Sequence, residues 1–275
     1  MASTPCTRCG FRLEPGGRFC SSCGQPAGEA QRVQHGTASQ PRKTPIPSSM
    51  GAVALPASAP AASAGPSAAE ALKIVPIRHD GQASAPQPVG TGGIVCGRTA
   101  GELRFEQDLA VSPRHARFTT RPGGLEVEDL GSLNGTFVRV RSARPLVAGD
   151  EVRLGRQLLR LEPMPRRVDT GPTRPWGSVD PGHRVRLVQL LEGGGTGEIF
   201  PLRDGENAIG REVGQVAFPF DRYVSARHAR LDVTARAVLL VDTGSSNGTF
   251  VRVTGPALLT AGDQVLIGMQ LVRVE

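Results

Sequence analysis

Gly131-Ser-Leu-Asn134-Gly-Thr-Phe-Val-Arg-Val140 returns in the same chain as Gly244-Ser-Ser-Asn247-Gly-Thr-Phe-Val-Arg-Val253. Working outward from these two stretches, the flanking sequence falls into register. Gly97-Arg98 returns as Gly210-Arg211, and Ser112-Pro-Arg-His115-Ala-Arg as Ser225-Ala-Arg-His228-Ala-Arg. Ala148-Gly-Asp150 returns as Ala261-Gly-Asp263, and Leu154-Gly155 as Ile267-Gly268. Every pair is 113 residues apart. A fixed offset over so many positions means two copies of one domain, with no insertion between the motifs.

The copies read as all-β. Short alternating stretches such as Leu125-Glu-Val-Glu and Val185-Arg-Leu-Val-Gln-Leu are bounded by Gly, Asp and Asn turns, and no window sustains a helical period. Asn134-Gly135 and Asn247-Gly248 each precede Thr-Phe-Val-Arg-Val, which predicts a tight hairpin turn at both places. Each copy is therefore expected to be a β-sandwich of about 90 residues. The expected boundaries are 71–163 for the first, 184–275 for the second and 164–183 for the connector.

Gly-Arg, then Ser-x-x-His, then Gly-Ser-x-Asn-Gly-Thr resembles the signature of forkhead-associated (FHA) domains, here present twice in register. The resemblance implies phosphothreonine binding at a loop-rich end of each sandwich. It assigns Arg98 and Arg211 to the phosphate, where a guanidinium fork gives charge-assisted hydrogen bonds. Ser112 and Ser225 would donate to phosphate oxygens, and Asn134 and Asn247 would hold the peptide main chain. His115 and His228 would be architectural, and Gly97, Gly210, Gly135 and Gly248 would shape the backbone. Two departures stand out. After the binding serine the family often has a polar or basic residue; here Pro113 or Ala226 is followed by Arg114 or Arg227, which the resemblance counts with the phosphopeptide-binding residues. Before the asparagine, Ser246 keeps a hydroxyl that Leu133 lacks, which predicts tighter binding by the second copy. A nucleophile–base reading of Ser112 and His115 finds no third orienting group in the sequence, so no catalysis is expected.

Ahead of the repeat, Cys6-Thr-Arg-Cys9 and Cys20-Ser-Ser-Cys23 stand close together, each pair followed by glycine. Four thiolates in two C-x-x-C turns suit tetrahedral Zn²⁺, and residues 1–24 resemble the short zinc ribbons of bacterial regulatory proteins. Residues 25–70 turn to Pro, Ala, Ser and Gly, the composition of a disordered linker. Cys96, alone in an apolar stretch, reads as a core residue. No apolar run of membrane-spanning length and no secretory signal is seen, so the expected location is cytoplasmic.

The net charge is +7, but 30 of the 32 basic residues are arginines scattered along the chain, a poor nucleic-acid footprint. The favoured reading is a phosphothreonine-binding adaptor in serine/threonine kinase signalling, able to engage a doubly phosphorylated partner. Thr37, Thr44, Thr170 or Thr173, if phosphorylated, would offer intramolecular ligands. The alternatives are a regulator that contacts nucleic acid through the ribbon and a protein-interaction module indifferent to phosphate.

Overall fold

The computed structural model describes residues 72–78, 80–165, 171–173 and 176–275. Cys6, Cys9, Cys20 and Cys23, the linker at 25–70, and Thr37, Thr44 and Thr170 lie outside the described residues. Glu70–Glu275 cluster as one compact unit. Among the described residues there are twenty strands and no helix.

The front half of the first copy supplies β1 (Lys73–Ile77), β2 (Gln87–Pro88), β3 (Ile94–Gly97), β4 (Leu103–Arg104), β5 (Ala116–Arg121) and β6 (Gly124–Asp129). Its back half supplies β7 (Thr136–Arg139), β8 (Arg144–Leu146), β9 (Glu151–Leu154) and β10 (Gln157–Pro163). The front half of the second copy supplies β11 (Val185–Leu190), β12 (Thr196–Leu202), β13 (Gly205–Gly210), β14 (Val216–Ala217), β15 (Ala229–Val233) and β16 (Val238–Asp242). Its back half supplies β17 (Thr249–Arg252), β18 (Ala257–Leu259), β19 (Gln264–Ile267) and β20 (Gln270–Val274).

β7 and β17 stay with their own front halves, Val138 and Val251 packing on those cores, but beyond them the halves do not pack within their own copies. β18 joins β6 with Leu259 opposite Leu125, and β20 joins β1 with Val274 opposite Ile74. Reciprocally, β8 joins β16 with Leu146 opposite Val238, and β10 joins β11 with Leu161 opposite Leu187. The cores follow. One gathers Ile74, Phe118 and Leu125 with Val265, Ile267 and Val272. The other gathers Val152, Leu154 and Leu159 with Leu187, Leu231 and Leu240. Each sandwich is thus the front half of one copy completed by the back half of the other. One ten-stranded sheet runs through both, in the order β12-β11-β10-β9-β17-β7-β19-β20-β1-β2, and a five-stranded sheet covers each end.

At the centre of that sheet β7 and β17 pair antiparallel, and Val138 faces its own repeat equivalent, Val251. The flanking ladders repeat this reciprocity, Thr249 meeting Leu154 while Ile267 meets Thr136. A local two-fold therefore passes between Val138 and Val251, as in an isologous exchange of elements between two protomers, here within one chain.

Two expectations need correction. The boundaries 71–163 and 184–275 mark the repeat units but cut across both cores: the second sandwich comes from the contiguous segment between β7 and β17, and the first from the chain on either side of it. The expected hairpins at Asn134-Gly135 and Asn247-Gly248 do not form, because β6 and β7, like β16 and β17, lie in different sheets. Each asparagine–glycine pair instead ends a loop that carries the chain from one sheet to the other. Beyond it, Phe137-Val-Arg-Val-Arg-Ser-Ala-Arg-Pro-Leu146 holds no Asn-Gly or Asp-Gly pair to fold the strand back on itself, so the chain runs on into the neighbouring sandwich.

Candidate functional site

At one end of the first sandwich, three loops converge on Arg98, Ser112 and Asn134. Gly97 lets the first two approach: a Cβ there would stand 2.2 Å from the carbonyl oxygen of Pro113, and the same holds for Gly210 and Ala226. With that clearance, the Arg98 amide donates to the Ser112 carbonyl at 2.9 Å, and the Arg211 amide to the Ser225 carbonyl at 2.9 Å. The Ser112 hydroxyl oxygen accepts the Leu133 amide at 3.0 Å, and the Ser225 oxygen accepts the Ser246 amide at 3.2 Å. Each hydroxyl keeps its own proton to donate outward. The asparagines are exposed and tethered at one edge, Asn134 Nδ2 donating to the Ala110 carbonyl and Asn247 Nδ2 to the Tyr223 carbonyl, both at 2.8 Å.

The histidines lie beneath. His115 and His228 are fully buried. The Ser112 and Ser225 amides donate to their Nδ1 atoms at 3.0 Å, which leaves Nε2 as the protonated nitrogen. Nε2 donates to the Gly135 or Gly248 carbonyl at 3.1 Å. Burial is the largest influence on both rings and lowers their pKa, keeping them neutral. Each ring thus ties the serine loop to the asparagine loop through backbone atoms. Its accepting nitrogen is taken by an amide, so it does not serve as a base for the serine hydroxyl.

The asparagine loop is organised by a carboxylate that the motif reading passed over. Asp129 accepts the Gly131 and Ser132 amides on Oδ1 and the Ser132 and Thr136 hydroxyls on Oδ2. Asp242 does the same for Gly244, Ser245 and Thr249. Ser132 Oγ and Ser245 Oγ then accept the Gly135 and Gly248 amides, where φ is +78° and +82°. A second missed pair, Asp108 and Asp221, joins the site to the exchanged half. Asp108 Oδ2 accepts the Met269 amide and Gln270 Nε2; Asp221 Oδ2 accepts the Arg156 amide and Gln157 Nε2. Asp108, Asp129, Ser132, Thr136 and Gln157 recur 113 residues on as Asp221, Asp242, Ser245, Thr249 and Gln270, so carrying the repeat alignment through its polar positions would have found them.

Arg114 and Arg227 are exposed next to the buried histidines. The two sites differ at the recurring arginine. Arg98 is half-buried and donates Nε to the Val111 carbonyl at 3.2 Å. Arg211 is paired with Glu212, Nη2 to Oε1 at 2.8 Å, where the first copy has Thr99. Cys96 is buried, as expected, and burial pushes its thiol up to about 12, with Glu102 adding to the effect.

The family model of the FHA domain matches residues 94–155 and 207–268. The chain therefore carries two FHA domains, and the recurring Arg, Ser and Asn positions fall inside both matched segments. Over 54 residues it is 48% identical to an oxoglutarate dehydrogenase inhibitor of Corynebacterium diphtheriae, covering 19% of this chain and 38% of that protein. Over 70 residues it is 44% identical to the glycogen accumulation regulator GarA of Mycolicibacterium smegmatis, covering 24% and 44%. The chain spans less than half the length of these two relatives. A solved structure described as a structural and functional analysis of phosphothreonine-dependent FHA domain interactions is 32% identical. It covers 33% of this chain and 95% of that one, with a TM-score of 0.22.

Proposed function

We propose that the chain is a non-catalytic cytoplasmic adaptor that binds phosphothreonine segments of proteins acted on by a serine/threonine kinase, one at each composite sandwich. The observation that carries this reading is the convergence, twice, of an arginine, a serine with its hydroxyl proton unspent and an exposed asparagine on loops locked by a buried neutral histidine. A phosphate with nearly two negative charges and three acceptor oxygens suits such donors. The test is titration with degenerate phosphothreonine, phosphoserine and unmodified peptide pools. Binding should favour phosphothreonine, fall stepwise in Arg98→Ala and Arg211→Ala, and vanish in the double variant. Equal binding of phosphorylated and unmodified pools would overturn the reading.

Glu212 bears on the ranking of the two sites. It occupies the arginine that a phosphate would claim, opposing the advantage expected from Ser246. Glu212→Thr in the Arg98→Ala background is expected to tighten binding roughly two- to fivefold, the scale of an exposed ion pair. An unchanged affinity would show that the pair opens without cost.

The proposal includes a structural zinc ion held by Cys6, Cys9, Cys20 and Cys23. Its support is the paired C-x-x-C spacing together with a segment too short to fold on a hydrophobic core. Elemental analysis finding less than about half an equivalent of zinc on freshly purified protein would remove it.

A further inference from the structure

The strand exchange places the two sites beside neighbouring cavities that share a wall. A cavity of about 500 Å³ beside the first site is bordered by Ala110, Asn134 and Glu192 together with Arg153, Arg156 and Met269. A cavity of about 270 Å³ beside the second is bordered by Tyr223 and Asn247 and by the same Arg153, Arg156 and Met269. The shared residues come from both sandwiches, and Arg153 crosses between them, donating to the Gly268 carbonyl at 2.8 Å. Arg156 is exposed, its guanidinium 5.4 Å from the centre of the Tyr223 ring. Positive charge thus lies between two sites that each attract a dianion.

The ladder sets the spacing. Val253 donates to the Thr136 carbonyl and Val140 to the Thr249 carbonyl, so the two asparagine loops enter at opposite ends of a short antiparallel pair. At ~3.3 Å per residue with strands ~5 Å apart, the two asparagines stand roughly 15–25 Å from each other. The local two-fold relates the two sites, so a segment lying across the axis at one site runs opposite to its counterpart at the other.

Resting on the phosphothreonine reading above, we propose that the two sites act as one bidentate receptor for a pair of phosphothreonine segments running in opposite directions across these neighbouring cavities. The pair can come from one doubly phosphorylated chain that folds back between its phosphothreonines, or from the two chains of a dimeric partner. Two independent sandwiches joined by a free linker would impose neither the short spacing nor the reversed direction.

The test uses the full chain and synthetic ligands with degenerate flanks: a single phosphothreonine peptide, two such peptides joined head to tail by about 4 or about 20 Gly/Ser residues, and a peptide dimerised through its C-terminus by a disulfide. A linker of about 4 residues reaches at most ~14 Å, less than the separation of the sites, so the short joined ligand cannot bridge them; the long one can reach and reverse; the disulfide dimer presents two separate chains. Calorimetry of the long joined ligand or the dimer should give one ligand per protein and an apparent affinity about 100-fold or more above the single peptide. The short ligand should show no such gain. Arg98→Ala or Arg211→Ala alone should return the long ligand and the dimer to single-peptide affinity. A gain in the long ligand but not the dimer assigns the source to one folded-back chain, and the converse to a dimeric partner. Single peptides that bind without any gain in either reversing ligand, or an equal gain in the short one, overturn this inference while leaving the phosphothreonine reading intact. Single peptides that do not bind at all defeat that reading as well.

Discussion

Cutting the connector between the two copies is expected to leave the pieces bound to each other. Residues 171–173 are exposed, so a protease site placed there is accessible. Complete cleavage would leave one piece ending after β10 and another beginning before β11. In a tandem of self-contained domains these pieces part on dilution. Here each piece carries half of each core: Leu154 and Leu161 of the first piece are buried among Leu187 and Leu231 of the second, while Ile74 and Phe118 are buried among Ile267 and Val274. Separating them would tear open both sandwiches, an interface of the kind found in obligate assemblies, where a domain core is divided between chains. The cleaved pieces should co-elute in native gel filtration at any workable dilution and separate only in denaturant. A fragment covering 137–252 should fold as a monomer, since it holds one whole core, whereas 71–163 alone should not. Separation of the nicked pieces, or a folded monomeric 71–163, would show that each copy completes its own sandwich.

The exchange was not legible in the sequence for a simple reason. Because the copies are alike, the back half of either satisfies the same strand register and the same core. The 113-residue offset, the alternation of Leu125 and Val127 and the buried Cys96 are identical in either arrangement. What distinguishes them is a local matter after Asn134-Gly135, where Phe137 to Leu146 offers no pair for a tight turn and the chain is free to continue outward. The Asn-Gly pair itself misled, since its hairpin preference was overridden by Asp129, which takes the loop's amides and hydroxyls for another path.

The clustering of the candidate site residues was more legible than the topology. Arg98, Ser112, Asn134 and His115 all come from the front half of one copy, and their mutual bonds span residues 96–135, so the exchange leaves each cluster whole. The repeat marks Asp108 and Gln270 as recurring positions, but their contact was hidden because they meet only through the exchanged half, and no motif joins residues so far apart in the chain. The contrast between Arg156 and Met269, or Thr99 and Glu212, lies where the repeat does not repeat. Those positions carry the differences between the two sites, and a reading built on recurrence passes over them.

Replacing Asp242 by alanine should cost about 3 kcal/mol or more of stability, since it removes a carboxylate that accepts four hydrogen bonds and strands two hydroxyls. Ser245 and Thr249 are both buried, and each donates to Asp242 Oδ2 at 2.6 Å. The same loop presents Asn247, and β17 begins at Thr249, so the damage should reach both the second site and the strand that crosses to the other sandwich. Phosphopeptide binding in the Arg98→Ala background should disappear, whereas the first site should keep its affinity in the Asp242→Ala single variant. Asp242→Asn should be milder, because an amide can still accept the two backbone N–H groups and donate to the hydroxyls. The pH dependence gives a second readout. Burial pushes the Asp242 carboxyl up, but the hydrogen bonds from Ser245 and Thr249 outweigh it and hold the group below the usual carboxylate value. A carboxylate depressed in the folded state contributes stability that is present above its unfolded value near ~3.9 and lost as pH falls through the folded one. The stability gap between wild type and Asp242→Ala should therefore be constant from about pH 7 to about pH 5 and narrow only below about pH 4. A gap under about 1 kcal/mol at pH 7 would mean that the four bonds merely replace equivalent bonds to water, and the loop would then owe its shape to the buried His228 instead.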